Sequence, residues 1–313
     1  EEFPVKVAIY NYLDQTQNVQ VEIEAADWFD ILDTTVKTVE IQGNDIGGVS
    51  FMIRPKNLGQ NSVKITARSP EAADALVAAF EEFDQDGDAR VAVFYGEGGA
   101  FCAGWDLKYA STLTNRDEFQ RDLVEGLAFP IGSNPAPRGP LGPSRLELSK
   151  PVIGAIEGPA VAGGMELALW CDVRVMAETA YLGVYCRRWG IPLLDGGTVR
   201  LPRLVGQGKA LEITMTGRKV PAEECYRIGL CEQVVPEGGS REAAEAMAHE
   251  IARFPQAAML ADRQSIIETR GLPTRDALRL EWSNGLHAVA SEGAEGAARF
   301  SSGAGRHGDF QDI

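Results

Sequence analysis

Residues 150–183 read KPVIGAIEGPAVAGGMELALWCDVRVMAETAYLG, and this stretch decides the fold class. Val152 to Ile156 is a short apolar run of the kind that a strand buried on both faces requires. A glycine-bearing loop follows, and from Gly163 onward the pattern becomes helical. Upstream, Ser69-Pro70-Glu71 is a helix-start signal for the periodic run 72–83, and 91–95 repeats the buried-strand pattern before another glycine-rich loop. Alternation of this kind is the texture of an α/β domain. Downstream, 206–216, 221–228, 240–253 and 273–290 read as helices, and the small, polar tail 301–313 reads as loosely ordered.

Residues 1–69 differ. Apolar and polar residues alternate in 5–10, 19–23, 38–41, 49–53 and 63–66, separated by Asn, Asp, Gly and Pro. Period-2 alternation with frequent turns predicts antiparallel strands and part of a β-sandwich, with no helix. The expected division is therefore 1–69 and 70–313.

The chain has 313 residues, 45 Asp+Glu against 30 Lys+Arg, and a formal net charge of −15. That balance argues against nucleic acid or an acidic membrane surface as a partner. No apolar run approaches the ~18 residues of a membrane span, and the N-terminal stretch lacks a secretory pattern. Five cysteines without a C-x-x-C pair give no sign of a disulfide framework or a metal site, and no N-x-Ser/Thr acceptor is present. The expectation is a soluble, intracellular chain with reduced thiols.

Several motifs fail on spacing. Asp84-Gln85-Asp86-Gly87-Asp88 suggests a calcium loop, but Ala89 stands where glycine is required and Tyr95 where a carboxylate is required. Gly96-Glu97-Gly98-Gly99 lacks the spacing of a phosphate-binding loop. His249, His287 and His307 are isolated. What remains is FCAGWDLK at 101–108 and IEGPAVAGGMEL at 156–167, each following a strand. Their glycines let the backbone bend and leave free N–H groups at a helix start. Two such donors converging on one point make an oxyanion hole. Glu166, among Met165, Leu167 and Leu169, is placed for partial desolvation, which raises a carboxyl pKa and suits it to proton transfer. The same spacing equally suits a glutamate that only complements its own helix N-terminus.

Residues 70–310 resemble the crotonase family of enoyl-CoA hydratases and isomerases, most clearly in GGAFCAGWDLK, in 150–183, in GIPLLDGGTVRLPRLVG and in EGAARFSSGAGRHG. The resemblance implies a spiral of ββα turns, usually assembled as a homotrimer or dimer of trimers, in which two backbone amides hold the thioester carbonyl of an acyl-CoA. Those amides map onto Trp105 and Gly163. Trp105, Asp106, Leu107, Lys108, Gly163 and Cys186 map onto the substrate site, and Glu166 onto the first catalytic carboxylate. Coenzyme A enters as part of the substrate, with no separate cofactor or metal, and a cytoplasmic or mitochondrial location follows. Hydratases carry a second glutamate where Cys186 stands here; a small hydrophobe is one reading of that thiol. Asp195 matches a working aspartate of related isomerases, or else caps the helix after it. The functions implied are hydration of an enoyl-CoA, isomerisation with Glu166 and Asp195, or non-catalytic binding of a CoA thioester.

The first segment resembles the macroglobulin-type β-sandwich domains of the α2-macroglobulin and complement-like family in EEFPVKVAIYNYL, ADWFDIL and FMIRPKNLGQNSVKITARS. The thioester motif of that family is absent, so the resemblance implies a binding or spacer role. It also implies a fusion in which the opening strands of the crotonase-like part are replaced. Strand 62–68 is then expected to pair where the missing strand belongs.

Overall fold

The computed structural model describes residues 2–10, 16–43, 45–56, 65–68, 72–107, 111 and 127–304. The chain divides into two compact units, Glu1–Ala78 and Ala79–Ile313.

The first unit holds β1 (Phe3–Tyr10), β2 (Gln17–Ile23), β3 (Phe29–Ile31), β4 (Val36–Ile41), β5 (Ile46–Pro55) and β6 (Ile65–Arg68). They form two three-stranded antiparallel sheets, ordered β1-β5-β3 and β4-β2-β6. Alternation sends Val19, Val21 and Ile23 of β2 inward, where they join Ile41, Phe29, Phe51 and Ile53 in one buried cluster. The strand expected over 62–68 does not complete the α/β sheet. Its described part, β6, pairs antiparallel with β2, Ile23 opposite Ile65 and Gln20 opposite Arg68.

The helix α1 (Ala72–Gln85) runs across the division between the units. In the second unit, β7 (Ala92–Tyr95), β8 (Val152–Ile156), β10 (Val173–Ala177) and β13 (Gln233–Val235) form a parallel sheet in the order β13-β10-β8-β7. Among the described residues the outer edge of β7 has no strand partner. A second sheet, β12-β11-β9, contains β9 (Pro159–Val161), β11 (Tyr181–Gly183) and β12 (Lys219–Pro221). The chain passes from a strand of one sheet to a strand of the other and then to a helix. β8, β9 and α2 (Gly163–Trp170) make one such ββα turn, and β10 and β11 lead likewise to α3 (Gly197–Val205).

The apolar run 152–156 is buried along its whole length. Ile153 and Ala155 pack with Val175 and with Ala244 of α6 (Ser240–Arg253), whereas Ile156 faces the main cluster with Met165, Leu182 and Leu201. Between α3 and α6 lie α4 (Gln207–Thr216) and α5 (Ala222–Arg227), followed after α6 by α7 (Gln256–Glu268), α8 (Thr274–Ala288) and α9 (Ala294–Ser302). The 206–216, 221–228, 240–253 and 273–290 segments are thus helical, whereas α7 and α9 were not anticipated. Phe80, Phe94, Phe101 and Trp170 stack edge to face, with successive centroids 5.4, 5.0 and 4.8 Å apart for Phe80–Phe94, Phe94–Phe101 and Phe80–Trp170. This fixes the loop after β7 against α2. Asp84, from the calcium-like run, accepts bonds from the Ser149 amide and hydroxyl, both at 2.9 Å, and so tethers the approach to β8.

Two glycine substitutions separate close approach from open space. A Cβ on Gly164 would lie 1.9 Å from the Cys102 carbonyl oxygen, whereas one on Gly285, inside α8, meets nothing within 4 Å. Gly164→Ala is expected to destabilise by at least about 1–3 kcal/mol, and Gly285→Ala to stabilise by about 1 kcal/mol, read from urea unfolding midpoints.

Candidate active site

Two glycine bends meet in the second unit. After β7 the chain reaches Cys102, which forms an isolated parallel bridge with Ala160 of β9. The amides of Phe101 and Cys102 donate to the Pro159 carbonyl at 3.0 and 3.3 Å, and Val161 N–H donates to the Cys102 carbonyl at 3.0 Å. This contact lays Gly104, at φ +87°, against the start of α2, so that a Cβ there would lie 2.9 Å from the Gly163 nitrogen. Between β9 and α2, Ala162 has φ 54° and ψ −125°, a conformation costing on the order of 1–3 kcal/mol for a residue with a Cβ and concentrated at functional sites.

Trp105 follows Gly104 directly, and its amide and that of Gly163 therefore issue from adjoining bends. Gly163 opens the first turn of α2, whose N–H groups have no intrahelical acceptor. Among the described residues neither amide finds an acceptor elsewhere. Free amides so placed can hold a developing oxyanion, and the helix dipole adds to the effect.

Glu166 is 2% exposed. Its Oε1 accepts from the amides of Asp195 at 2.9 Å and Gly197 at 2.8 Å. These donors open α3, so Glu166 satisfies the start of the neighbouring helix and not of its own. Its carboxyl is nevertheless pushed up to about 7. Burial is the largest cause; the Gly197 amide opposes it, and the charge of Asp195 adds to the rise.

Asp195 is 4% exposed. It does not cap α3: the N-cap residue is Gly196, with no side-chain cap bond, and Asp195 Oδ1 instead accepts from the Ser144 hydroxyl and from Leu141 N–H at 3.0 Å. Arg200 of α3 ties the same parts together through the backbone, donating to the carbonyls of Asp195 at 2.9 Å and Ser144 at 2.7 Å. Only one oxygen of each carboxyl takes these bonds. The second oxygens of Glu166 and Asp195 accept none of these bonds. Two adjoining carboxyls, one of them titrating near neutrality, can pass protons to and from a bound molecule.

The model of the family described as enoyl-CoA hydratase/isomerase matches residues 144–300. The chain is 33% identical over 236 residues to enoyl-CoA hydratase EchA19 of Mycobacterium tuberculosis, covering 73% of this chain and 82% of the relative. It belongs to the enoyl-CoA hydratase/isomerase family. A probable mitochondrial enoyl-CoA hydratase 2 of Arabidopsis thaliana is 34% identical, with 79% of this chain and 75% of that one covered. The crystal structure of EchA1 from Mycobacterium marinum shares the crotonase fold, with a TM-score of 0.64 at 29% identity over 78% of this chain and 94% of that one.

The remaining residues singled out in the enoyl-CoA hydratase/isomerase motifs fall as follows. Trp105 and Asp106 are half-buried beside the first bend, and Leu107 is exposed. Lys108 lies outside the described residues, as does His307. Cys186 is buried in the core cluster, where burial and then the charge of Glu166 push its thiol up, so it stands as a neutral small group. The other four cysteines are also free, with their thiols raised, burial being the largest cause in each. Ser144, Leu141 and Arg200 escaped the reading of the sequence; the GPLGPSRL run at 139–146 offered only turn residues, and none of its side chains advertised a carboxylate partner. Two clefts of about 400 and 320 Å³ lie along the segments around Pro255 and Glu292, and neither is lined by Glu166, Asp195 or the glycine bends.

The Glu166 shift has a sign that can be measured. An acid whose folded value lies above its unfolded 4.5 binds its proton more tightly when folded, so stability is whole below about 4.5 and is lost as pH rises through about 7. Glu166→Gln keeps an acceptor for both amides and carries no charge. It is expected to exceed the parent in stability near pH 8 by roughly 3 kcal/mol and to match it near pH 4, read from urea midpoints at the two pH values.

Proposed function

We propose that this chain acts on a 2-enoyl-CoA thioester, adding water across its double bond. The observation that carries this reading is the close approach of the bend before Trp105 to Gly163, at the start of the helix that carries in its first turn Glu166, a buried carboxyl pushed up to about 7. The two amides hold the thioester carbonyl oxygen and take up the charge that develops on it, which makes the β-carbon electrophilic. The Asp195 carboxylate accepts a proton from water as the water oxygen bonds to the β-carbon. Electrons move into the carbonyl as an enolate, and protonated Glu166 delivers its proton to the α-carbon. Transfer of a proton from Asp195 to Glu166 restores the starting state. We assign Trp105, Asp106, Leu107, Gly163 and Cys186 to the acyl-CoA site, together with Lys108, which lies outside the described residues, and take the coenzyme A portion as part of the substrate, with no separate cofactor.

A second reading is double-bond isomerisation, in which the two carboxyls remove and return a carbon-bound proton. It is favoured by Cys186 standing in place of a second glutamate while Asp195 lies beside Glu166. We read the two sheets of residues 2–68 as a partial β-sandwich of macroglobulin type with a binding or spacer role, on the boundaries 1–69 and 70–313. We assign a homotrimer or dimer of trimers in the cytoplasm or mitochondrion, in keeping with exposed apolar residues such as Trp189, Met215 and Trp282. No described helix is long and apolar enough to cross a membrane.

The test is loss of the enoyl-thioester absorbance with crotonyl-CoA and longer homologues. Glu166→Ala is expected to lower kcat by about 10²–10⁴, Asp195→Asn to lower it comparably, and Cys186→Ala to leave it near the parent value. Equal turnover by Glu166→Ala and the parent would refute the acid/base assignment. Tight thioester binding with no turnover of any enoyl-CoA would identify a non-catalytic binding protein.

A further inference from the structure

We propose that Ser144 is a positioning residue of the active site, holding the Asp195 carboxylate in the one orientation that presents its free oxygen to substrate. This rests on the reading of Asp195 as an acid/base.

Ser144 is 1% exposed and lies in the short helical turn Pro143–Arg145 that follows the Gly139–Gly142 bend. Its hydroxyl donates to Asp195 Oδ1, which also accepts from Leu141 N–H at 3.0 Å. Two donors occupy the accessible lone pairs of that oxygen and leave Oδ2 as the group able to move a proton. The carboxylate torsion of an aspartate is broad and roughly two-fold, so its rotamer alone does not fix the group. With one donor removed, the carboxylate can swing. Among the described residues, Glu166, the thiol of Cys102 and the guanidinium of Arg200 interact with Asp195 by charge, and that guanidinium is held by its bonds to the Asp195 and Ser144 carbonyls.

Space at the contact is reserved for this bond. Gly139 is not in a left-handed conformation, yet a Cβ there would lie 1.9 Å from the Ser144 hydroxyl oxygen and 2.9 Å from Asp195 Oδ1. Glycine at 139 is therefore required by the Ser144–Asp195 pair and not by its own backbone. The backbone ties of Arg200 are independent of the Ser144 hydroxyl, so removing that hydroxyl leaves turn and helix joined. The same turn brings Leu141 over the Gly163 bend, since a Cβ on Gly163 would lie 2.2 Å from Leu141 Cδ1. The segment that orients Asp195 thus also packs against the Gly163 bend.

The experiment measures kcat and KM for crotonyl-CoA in the full chain carrying Ser144→Ala, Ser144→Thr, Gly139→Ala, Asp195→Asn and the double variant S144A/D195N. Misplacement of a reacting group by about 1 Å costs on the order of 10² in rate. Ser144→Ala and Gly139→Ala are accordingly expected to lower kcat by about 10–100-fold with KM changed less than about 3-fold. Ser144→Thr, which keeps the hydroxyl, should recover most of the loss. In the Asp195→Asn background, Ser144→Ala should add nothing further. Parent-like kcat in Ser144→Ala with Asp195→Asn inactive overturns the role of Ser144 alone. An equal, additive loss in the Asp195→Asn background shows that Ser144 does not act through Asp195. Full activity in Asp195→Asn removes the reading of Asp195 and this inference with it.

Discussion

The parallel bridge between Cys102 and Ala160 is the contact on which the site depends. It is a short piece of backbone pairing outside the regular strands, and it brings the loop after β7 onto the crossing from β9 to α2. Backbone bonds alone would not suffice, because side chains on either bend would force the strands apart. Gly104, Gly163 and Gly164 remove that obstacle, and Ala162 accepts a strained conformation between them. The result is that two bends from separate parts of the chain lie in contact, Gly104 against the Gly163 nitrogen. The aromatic stack of Phe80, Phe94, Phe101 and Trp170 holds the loop from behind.

Behind the amides lies a buried polar cluster whose members satisfy one another in sequence. Glu166 reaches from α2 to the amides that open α3; Asp195, at that opening, reaches back to the turn at 139–146; Arg200 of α3 closes the loop on two carbonyls. Each buried acceptor has a donor, which is why the cluster is tolerated within an apolar core containing Met165, Leu193 and Leu201. The arrangement also separates the two oxygens of each carboxyl, since the bonds to the scaffold fall on Oε1 of Glu166 and Oδ1 of Asp195. Because Glu166 is desolvated while its donors are neutral amides, the balance falls toward the protonated form.

Much of this was legible in the residues. The wholly apolar 152–156 and the glycine-interrupted start of the following helix specified a buried strand and an open helix N-terminus, and Glu166 was correctly expected to be desolvated. Its structural partner was not legible, because the amides it binds lie at 195 and 197, and spacing along α2 carries no information about them. For the same reason the capping readings left open for both residues do not hold: Glu166 binds the amides that open α3 and not those of α2, and Asp195, which precedes α3, turns to Ser144. Strands β9, β11 and β12 are three residues each, too short for periodicity to register. Helix α7 buries only Ala261 and Ser265 fully and has no clean apolar stripe. Strand β6 carried a correct β pattern, but its pairing with β2 and not with β7 is a matter of topology, which alternation cannot encode.

The most direct measurement is the vibrational frequency of the thioester carbonyl in a bound enoyl-CoA, read by Raman difference spectroscopy with a carbonyl-¹³C label. Two amides converging on that oxygen polarise the bond, so the account predicts a C=O stretch at clearly lower frequency in the complex than in free ligand, retained in Glu166→Gln. A saturably bound ligand whose carbonyl frequency equals that of the free thioester would contradict it.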